Sequence, residues 1–347
     1  MKIMSATLDG IKPLVSIVLT TYNSEVIVEK VLRAILNQNF PLEKVELIIV
    51  DGGSRDRTLE LIERFLRENS HRFYDVKLII HDRNYGVTKA RNDGIKASRG
   101  HYILILDHDI VMDNDTLRLL FEFLSSAPQG VGGVMPLLYT VNGTIFDRWR
   151  EKVMEGKITV VNTIADCVLI KREVVEKAGL YDEYLGPPHT ICEEREYGAR
   201  VASRGLSVIA LGWVKAYHYT GIEDDNEKVR ENQGYSNFKK LLAYVKFFGG
   251  SKYRYALKRW INSMPLLDKL KWYLYACTVL TFPLVMTASL LIPNSIPLYI
   301  WLILLSFDYL TVLKEYFNSR ALAISILYSA IALSWRLARS VLLLIPA

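Results

Sequence analysis

The 347 residues are 50% apolar and 23% charged, with a mean hydropathy of +0.14, which excludes a disordered chain, a collagen-like repeat and a disulfide scaffold and predicts two to three units. Cys167, Cys192 and Cys277 form no close pair, which argues against a zinc ribbon, a CxxC redox site and a secreted framework. The net charge of +6 leaves nucleic acid, a membrane surface or an anionic substrate open as partners until the charge is located along the chain.

From the N-terminus, MKIMSATLDG lacks an apolar core, so no signal peptide is expected and the first domain should stay cytoplasmic. Val15–Leu19 predicts a strand ended by TTYNS. Ser24 is placed to cap a helix carrying Val28, Val31, Leu32 and Ile35 at helical spacing. Leu47–Val50 predicts a second strand, ended by DGGS, with a helix following that puts Leu59, Ile62, Phe65 and Leu66 on one face. Val76–Ile80 predicts a third strand, Gly86–Ser98 a helix and Tyr102–Leu106 a fourth strand, ended by DHD. Continuous apolar strands alternating with amphipathic helices predict an α/β fold, a Rossmann-like, mostly parallel sheet with helices on both faces. Ligands of such sheets bind beyond the carboxyl ends of the strands, where TTYN, DGGSRD and DHD all fall. Neither G-x-G-x-x-G nor G-x-x-x-x-G-K-[ST] is present, which disfavours a dinucleotide-binding domain and a P-loop NTPase.

Residues 236–271 hold nine Lys/Arg and one Asp, and residues 272–347 four basic and two acidic residues, so residues 1–235 carry −4. The segment 236–271 interleaves Lys and Arg with Phe, Tyr and Trp, a composition suited to helices lying in a headgroup layer. Trp272–Ile292 is uncharged over 21 residues, Ile296–Leu313 carries only Asp308, and Ala321–Ile345 carries Arg336 and Arg339. These stretches predict two to three transmembrane helices, the third being the costliest because of its arginines. The +8 directly before the first stretch orients the membrane region with residues 1–235 inside. The expected domains are thus 1–235, catalytic; 236–271, juxtamembrane; and 272–347, transmembrane. This places the basic charge at a membrane and removes nucleic acid from the partners.

Asp107-His108-Asp109 sits at a strand end. Two carboxylates one residue apart supply hard oxygen ligands suited to Mg²⁺ or Mn²⁺ bridging to phosphates, although an Asp-rich turn has the same appearance. Taken in order, VSIVLTTYNSEVIVEKVLRAILNQ, LIIVDGGSRDRTLELIERF, NYGVTKARNDGIKASRG with YILILDHDIVMDNDTL, and VLIKREVVEKAGLYDEYL with CEEREYGARVASRGL resemble the family 2 inverting nucleotide-sugar glycosyltransferases of GT-A fold over about residues 13–220.

The resemblance implies that Thr20, Tyr22 and Asn23 line the nucleotide pocket, Asp51 bonds the base, Arg91 contacts the donor, Asp107 lies near ribose and diphosphate, and Asp109 holds the metal. Each has a structural alternative: Asn23 and Ser24 as helix caps, Asp51 as the shaper of the DGGS turn, Arg91 as a surface helix residue. His218 matches a family position near the diphosphate, as metal ligand or phosphate donor, with a structural histidine as the alternative; His108 is expected to point away. The family usually shows Glu-Asp where this chain has Glu193-Glu194, and a single displacement needs a base for the acceptor hydroxyl, so Glu194, with Glu193 beside it, is the candidate. Arg200 matches the family's later arginine.

The membrane region suggests a lipid-linked acceptor hydroxyl. A polyprenyl phosphate, which needs no base, is the alternative acceptor. The Q-x-x-R-W signature of processive synthases is absent, which favours transfer of a single sugar.

Overall fold

The computed structural model describes residues 13–143, 145–161, 163–164, 166–185 and 193–219. The chain divides into two units, Met1–Ser236 and Asn237–Ala347, and every described residue belongs to the first. The basic segment and the three long apolar stretches lie outside the described residues. Among the described residues no helix is long and apolar enough to cross a membrane.

The N-terminal half alternates as read from the sequence: β1 (Val15–Thr21), α1 (Val28–Leu36), β2 (Val45–Asp51), α2 (Thr58–Asn69), β3 (Asp75–Ile80), α3 (Val87–Ala97) and β4 (Tyr102–Asp107). Every residue of β1 and β2 is buried, the expected consequence of a sheet covered on both faces. Right-handed crossovers place α1 and α2 together on one face and α3 on the other. Accordingly α1 packs on α2, and α3 packs on β1 and β2. Gly94 permits that approach, since a Cβ there would stand 2.3 Å from Val18 Cγ1.

The second half adds β5 (Ile110–Met112), α4 (Thr116–Ser126), β6 (Val131–Val141), α5 (Ile145–Met154), β7 (Ile158–Val161), β8 (Cys167–Lys171), α6 (Arg172–Ala178), α7 (Glu193–Ser203) and β9 (Ser207–Tyr219). The sheet order is β3-β2-β1-β4-β8-β6-β9-β5, with β7 on β9.

Two expectations are corrected. The sheet is mixed rather than mostly parallel: β1–β2, β1–β4, β2–β3 and β6–β9 run parallel, while β4–β8, β6–β8, β5–β9 and β7–β9 run antiparallel. An apolar run such as that of β8 reports burial on both faces and says nothing of direction. Ser24 does not cap α1 with its side chain. It offers its carbonyl to the N–H groups of Ile27 and Val28 (3.0 and 2.8 Å), and its hydroxyl donates to the Tyr22 carbonyl (3.0 Å).

Candidate active site

The parallel register brings the carboxyl ends of three strands level: Thr20 lies opposite Asp107 and Thr21 opposite Asp51. Thr20 Oγ1 donates to Asp107 Oδ1 (3.1 Å) and Thr21 Oγ1 to Asp51 Oδ2 (3.0 Å), so the chain continues each strand pairing through side chains. Asp51 is fully buried and accepts four hydrogen bonds, from Thr21, from the N–H groups of Gly53 and Ser54 (3.0 and 2.8 Å) and from the Ser54 hydroxyl (2.6 Å). It therefore holds the DGGS turn closed. Gly53 is required there: its φ is +83°, and a Cβ would sit 3.0 Å from the Arg83 backbone.

The loop after β1 is laced to the loop after β2. Asn23 donates its N–H to Ser54 Oγ (2.8 Å) and accepts from the Arg55 N–H (2.9 Å) with its own φ at 45°. The Ser24 N–H donates to Thr58 Oγ1 (2.6 Å) and the Glu25 N–H to Asp56 Oδ2 (3.1 Å). Tyr22 and Asn23 are exposed on this braced floor. A pocket wall built this way is pre-organised, because its hydrogen bonds exist before any ligand arrives.

Arg91 is buried within α3 and reaches Asp107 through two contacts, Nη2 to Oδ2 at 2.5 Å and Nε to Oδ1 at 3.3 Å. Its Nη1 lies 3.6 Å from Glu193 Oε1. Burial alone would lower the guanidinium pKa; the charges of Asp107 and Glu193 reverse this and hold it above its ordinary value. The reading of Arg91 as a surface helix residue is thus corrected: Arg91 shares the buried side of α3 with Ala90, Gly94 and Ile95. Asn92, its neighbour, clasps the backbone of Tyr181 on both sides, donating to its carbonyl (3.0 Å) and accepting from its N–H (2.9 Å). The GLYD segment is thereby tied to α3.

Asp109 and His218 meet across β5 and β9, with Nε2 3.1 Å from Oδ2. The strands fix this pair: Ile110 is in register with His218, and the Tyr219 N–H donates to the Asp109 carbonyl (2.9 Å). Burial pushes the Asp109 carboxyl up, but the His218 hydrogen bond and the charges of His108 and His218 carry it below its usual range. The hydrogen bond to Asp109 in turn raises the His218 pKa.

Among the described residues no group of three or more His, Cys, Asp or Glu side chains is arranged to hold a metal. One carboxylate and one imidazole nonetheless suit a divalent cation that takes its remaining ligands from phosphate and water.

Helix α7 carries the carboxylates at its N-terminus. Glu193 is buried, and burial, together with the charges of Glu194 and Asp107, raises its pKa to about 7 against the opposing effect of Arg91. Glu194 is partly exposed and accepts from Thr163 Oγ1 (3.2 Å). Arg200 clamps the helix, pairing with Glu196 through Nε (3.0 Å) and Nη2 (2.8 Å) while Nη1 donates to the carbonyls of Ala178 and Leu180.

Asp166 went unremarked in the sequence. It has left-handed backbone (φ 59°), and its carbonyl accepts the Asp107 N–H at 2.8 Å. Burial and the charges of Asp107 and Glu194 raise its pKa to about 7. The available signal was an acidic residue directly before the apolar run CVLIK, the mirror of Asp107 directly after YILIL.

Residues 16–179 match the family model described as glycosyl transferase family 2. That segment is a family 2 glycosyltransferase domain. The domain's relatives include glycosyltransferase AglE of Haloferax volcanii, 29% identical over 180 residues, covering 50% of this chain and 57% of AglE. The uncharacterized glycosyltransferase EpsJ of Bacillus subtilis is 36% identical over 111 residues, covering 32% of this chain and 30% of EpsJ. The chain therefore spans less than two thirds of the length of these curated relatives. The crystal structure of residues 1–349 of Staphylococcus aureus TarS in complex with UDP-GlcNAc superposes with a TM-score of 0.52 at 17% identity, covering 73% of this chain and 82% of that one. At that identity the likeness concerns the fold: the family 2 domain has a GT-A-like mixed sheet flanked by helices.

Proposed function

We propose that this protein is a metal-assisted glycosyltransferase that moves one sugar, with inversion, from a UDP- or GDP-sugar to a lipid-linked acceptor hydroxyl. The observation that carries this reading is the alignment of Asp51, Asp107 and the Asp109–His218 pair along one end of the sheet to which the family 2 segment belongs. TarS, bound to UDP-GlcNAc in its crystal structure and named a poly(ribitol-phosphate) β-N-acetylglucosaminyltransferase, supports a nucleotide-sugar donor.

In this reading Thr20, Tyr22, Asn23 and Asp51 form the nucleoside end of the donor site. Arg91 holds Asp107 oriented beside the ribose and diphosphate. Asp109 and His218 would hold Mg²⁺ or Mn²⁺, which when bound supplies a Lewis acid for the leaving diphosphate. Glu194, the more exposed of the two α7 carboxylates, takes the proton of the attacking hydroxyl, and Glu193, buried against Arg91, positions that ion pair. Attack from the face opposite the diphosphate inverts the anomeric carbon.

The uncharged stretch 272–292 and the +8 of residues 236–271 support a multi-pass protein of the cell membrane, its catalytic domain at the cytoplasmic leaflet and its acceptor anchored in lipid.

The reading is tested with Glu194→Gln. Loss of a general base lowers the transfer rate by roughly 10²–10⁴-fold, with the donor KM within a few-fold of wild type. A collapse of donor affinity at an unchanged rate would remove Glu194 from the role of base.

A further inference from the structure

Glu194 is gripped twice by the segment that leads into β8. Thr163 Oγ1 donates to Glu194 Oε2 (3.2 Å), and the Ile164 N–H donates to the Glu194 carbonyl (3.3 Å). One contact holds the carboxylate and the other holds the backbone that carries it.

That segment is held in turn by Tyr181. The Tyr181 hydroxyl donates to the Ile164 carbonyl at 2.8 Å, and both residues are buried, with 3% and 0% exposure. Asn92 on α3 bonds both backbone groups of Tyr181, and the Tyr181 ring packs on Tyr197 of α7 with centroids 4.3 Å apart. Helix α7 also grips the residues just before Tyr181. The Tyr197 hydroxyl donates to the Gly179 carbonyl (2.8 Å), and Arg200 Nη1 donates to the carbonyls of Ala178 and Leu180 (2.6 and 2.7 Å). The path closes on itself: α3 to Tyr181, Tyr181 to Ile164, the 163–164 segment to Glu194, and α7 back to the residues before Tyr181. These bonds are made before any substrate arrives, as a pre-organised group requires.

Glu194 has the need for such a path. It is partly exposed and has three side-chain torsions, so its carboxylate wanders unless it is anchored. A misplacement of about 1 Å costs up to roughly 10²-fold in rate. A hydroxyl suits the task better than a cation, because a positive charge beside the carboxylate would lower its basicity further.

We propose that Thr163, braced by Tyr181, is a positioning residue for the general base and holds the Glu194 carboxylate where it meets the attacking hydroxyl. The inference rests on the reading of Glu194 as that base. In that step the hydroxyl oxygen bonds to the anomeric carbon. The bond from that carbon to the diphosphate breaks, its electron pair leaves with the nucleoside diphosphate, and the hydroxyl proton passes to Glu194. Thr163 and Tyr181 keep their own protons throughout.

The test uses the full chain in a zwitterionic detergent with Mn²⁺, UDP-GlcNAc or GDP-mannose, and octyl β-glucoside as the added hydroxyl. Release of nucleoside diphosphate is followed for Thr163→Val, Thr163→Ser and Tyr181→Phe, each alone and combined with Glu194→Gln. Thr163→Val keeps the shape and removes the hydroxyl. It is expected to lower kcat about tenfold, and Tyr181→Phe about fivefold, with the donor KM within about twofold of wild type. Thr163→Ser, which keeps the hydroxyl, is expected to recover most of the loss. In the Glu194→Gln background neither substitution is expected to change kcat by more than about twofold, because a base that is absent cannot be misplaced. The rise in melting temperature produced by the donor, which also reports folding, is expected to persist in every variant. Wild-type kcat in Thr163→Val or Tyr181→Phe, a serine variant as slow as the valine variant, or the same loss with and without the Glu194 carboxylate would overturn the assignment while leaving Glu194 as base. If Glu194→Gln is as fast as wild type, the base reading itself fails; if folded wild type turns over neither donor, the glycosyltransferase reading fails. In both cases the assignment falls with it.

Discussion

The buried Arg91 pairs with the half-buried Asp107, with Nη2 and Oδ2 2.5 Å apart, and Glu193 closes the far side of the same guanidinium. One cation thus serves two carboxylates, one at the end of β4 and one at the start of α7, and joins the donor half of the site to the acceptor half. Removing one member of such a group strands the others without a counter-charge, which typically costs about 3–5 kcal/mol. Arg91→Met is expected to lose stability by that amount in chemical denaturation. Arg91→Lys, which keeps the charge but not the planar fork, should fall between the two. A methionine variant as stable as wild type would show that the pair is not needed to hold the domain together.

Glu193 gives the domain a pH signature. Its carboxyl ionises near 4.5 in the unfolded chain and at about 7 in the folded one. Between those values the folded state binds the extra proton, so the contribution of Glu193 is complete below pH 4.5 and is lost as the pH rises to 7, then is flat. Glu193→Gln has no proton to lose. The difference in stability between wild type and Glu193→Gln, followed from pH 4.5 to 8, should move in favour of the variant by on the order of 3 kcal/mol. Asp166, raised to about 7 as well, retains its own slope in both proteins and cancels in the difference. Parallel curves for the two proteins would mean that Glu193 ionises normally in the folded state.

Asp51 collects four hydrogen bonds in a fully buried position. Asp51→Ala leaves two N–H groups and two hydroxyls of the turn without their acceptor. Each unsatisfied buried group costs about 1–3 kcal/mol before relaxation. The expected result is a loss of at least about 2 kcal/mol, together with weaker nucleotide binding, because Asn23 is braced on Ser54 of the same turn. Calorimetric titration with UDP and GDP, alongside denaturation, reads both effects; unchanged stability would show that the turn closes without the carboxylate.

The parts of the fold legible in the sequence are those where local pattern and tertiary burial agree. LIIV is apolar throughout and VSIVL is broken only by Ser16, whose buried hydroxyl donates to Glu46, because both faces of the sheet are covered, and β1, β2, β3 and β4 form where such runs lie. The directions of β8 and β9 were not legible, because they depend on pairings with β4, β5 and β6 that are remote in sequence. The site shows the same division. TTYN, DGGS and DHD stand out as polar segments ending apolar runs. Arg91 reads locally as a charge on a helix, and only Gly94 and Ile95 three and four residues on, both buried, mark its face as the inner one. Asp166 is isolated in sequence from Asp107 and Glu194; the pairing of β8 with β4 brings it to Asp107, and the Ile164 N–H, donating to the Glu194 carbonyl, ties the start of α7 to the same segment.

The most direct test of the account is metal-dependent donor turnover. Full-length protein is incubated with UDP-GlcNAc or GDP-mannose, with and without Mn²⁺, and release of nucleoside diphosphate is followed for wild type and for Asp109→Asn. The account predicts turnover in wild type that chelation abolishes, and a loss of at least 10²-fold in Asp109→Asn with the melting temperature preserved. Turnover indifferent to chelation and to Asp109→Asn, or no turnover of either donor by the folded wild-type protein, would contradict it.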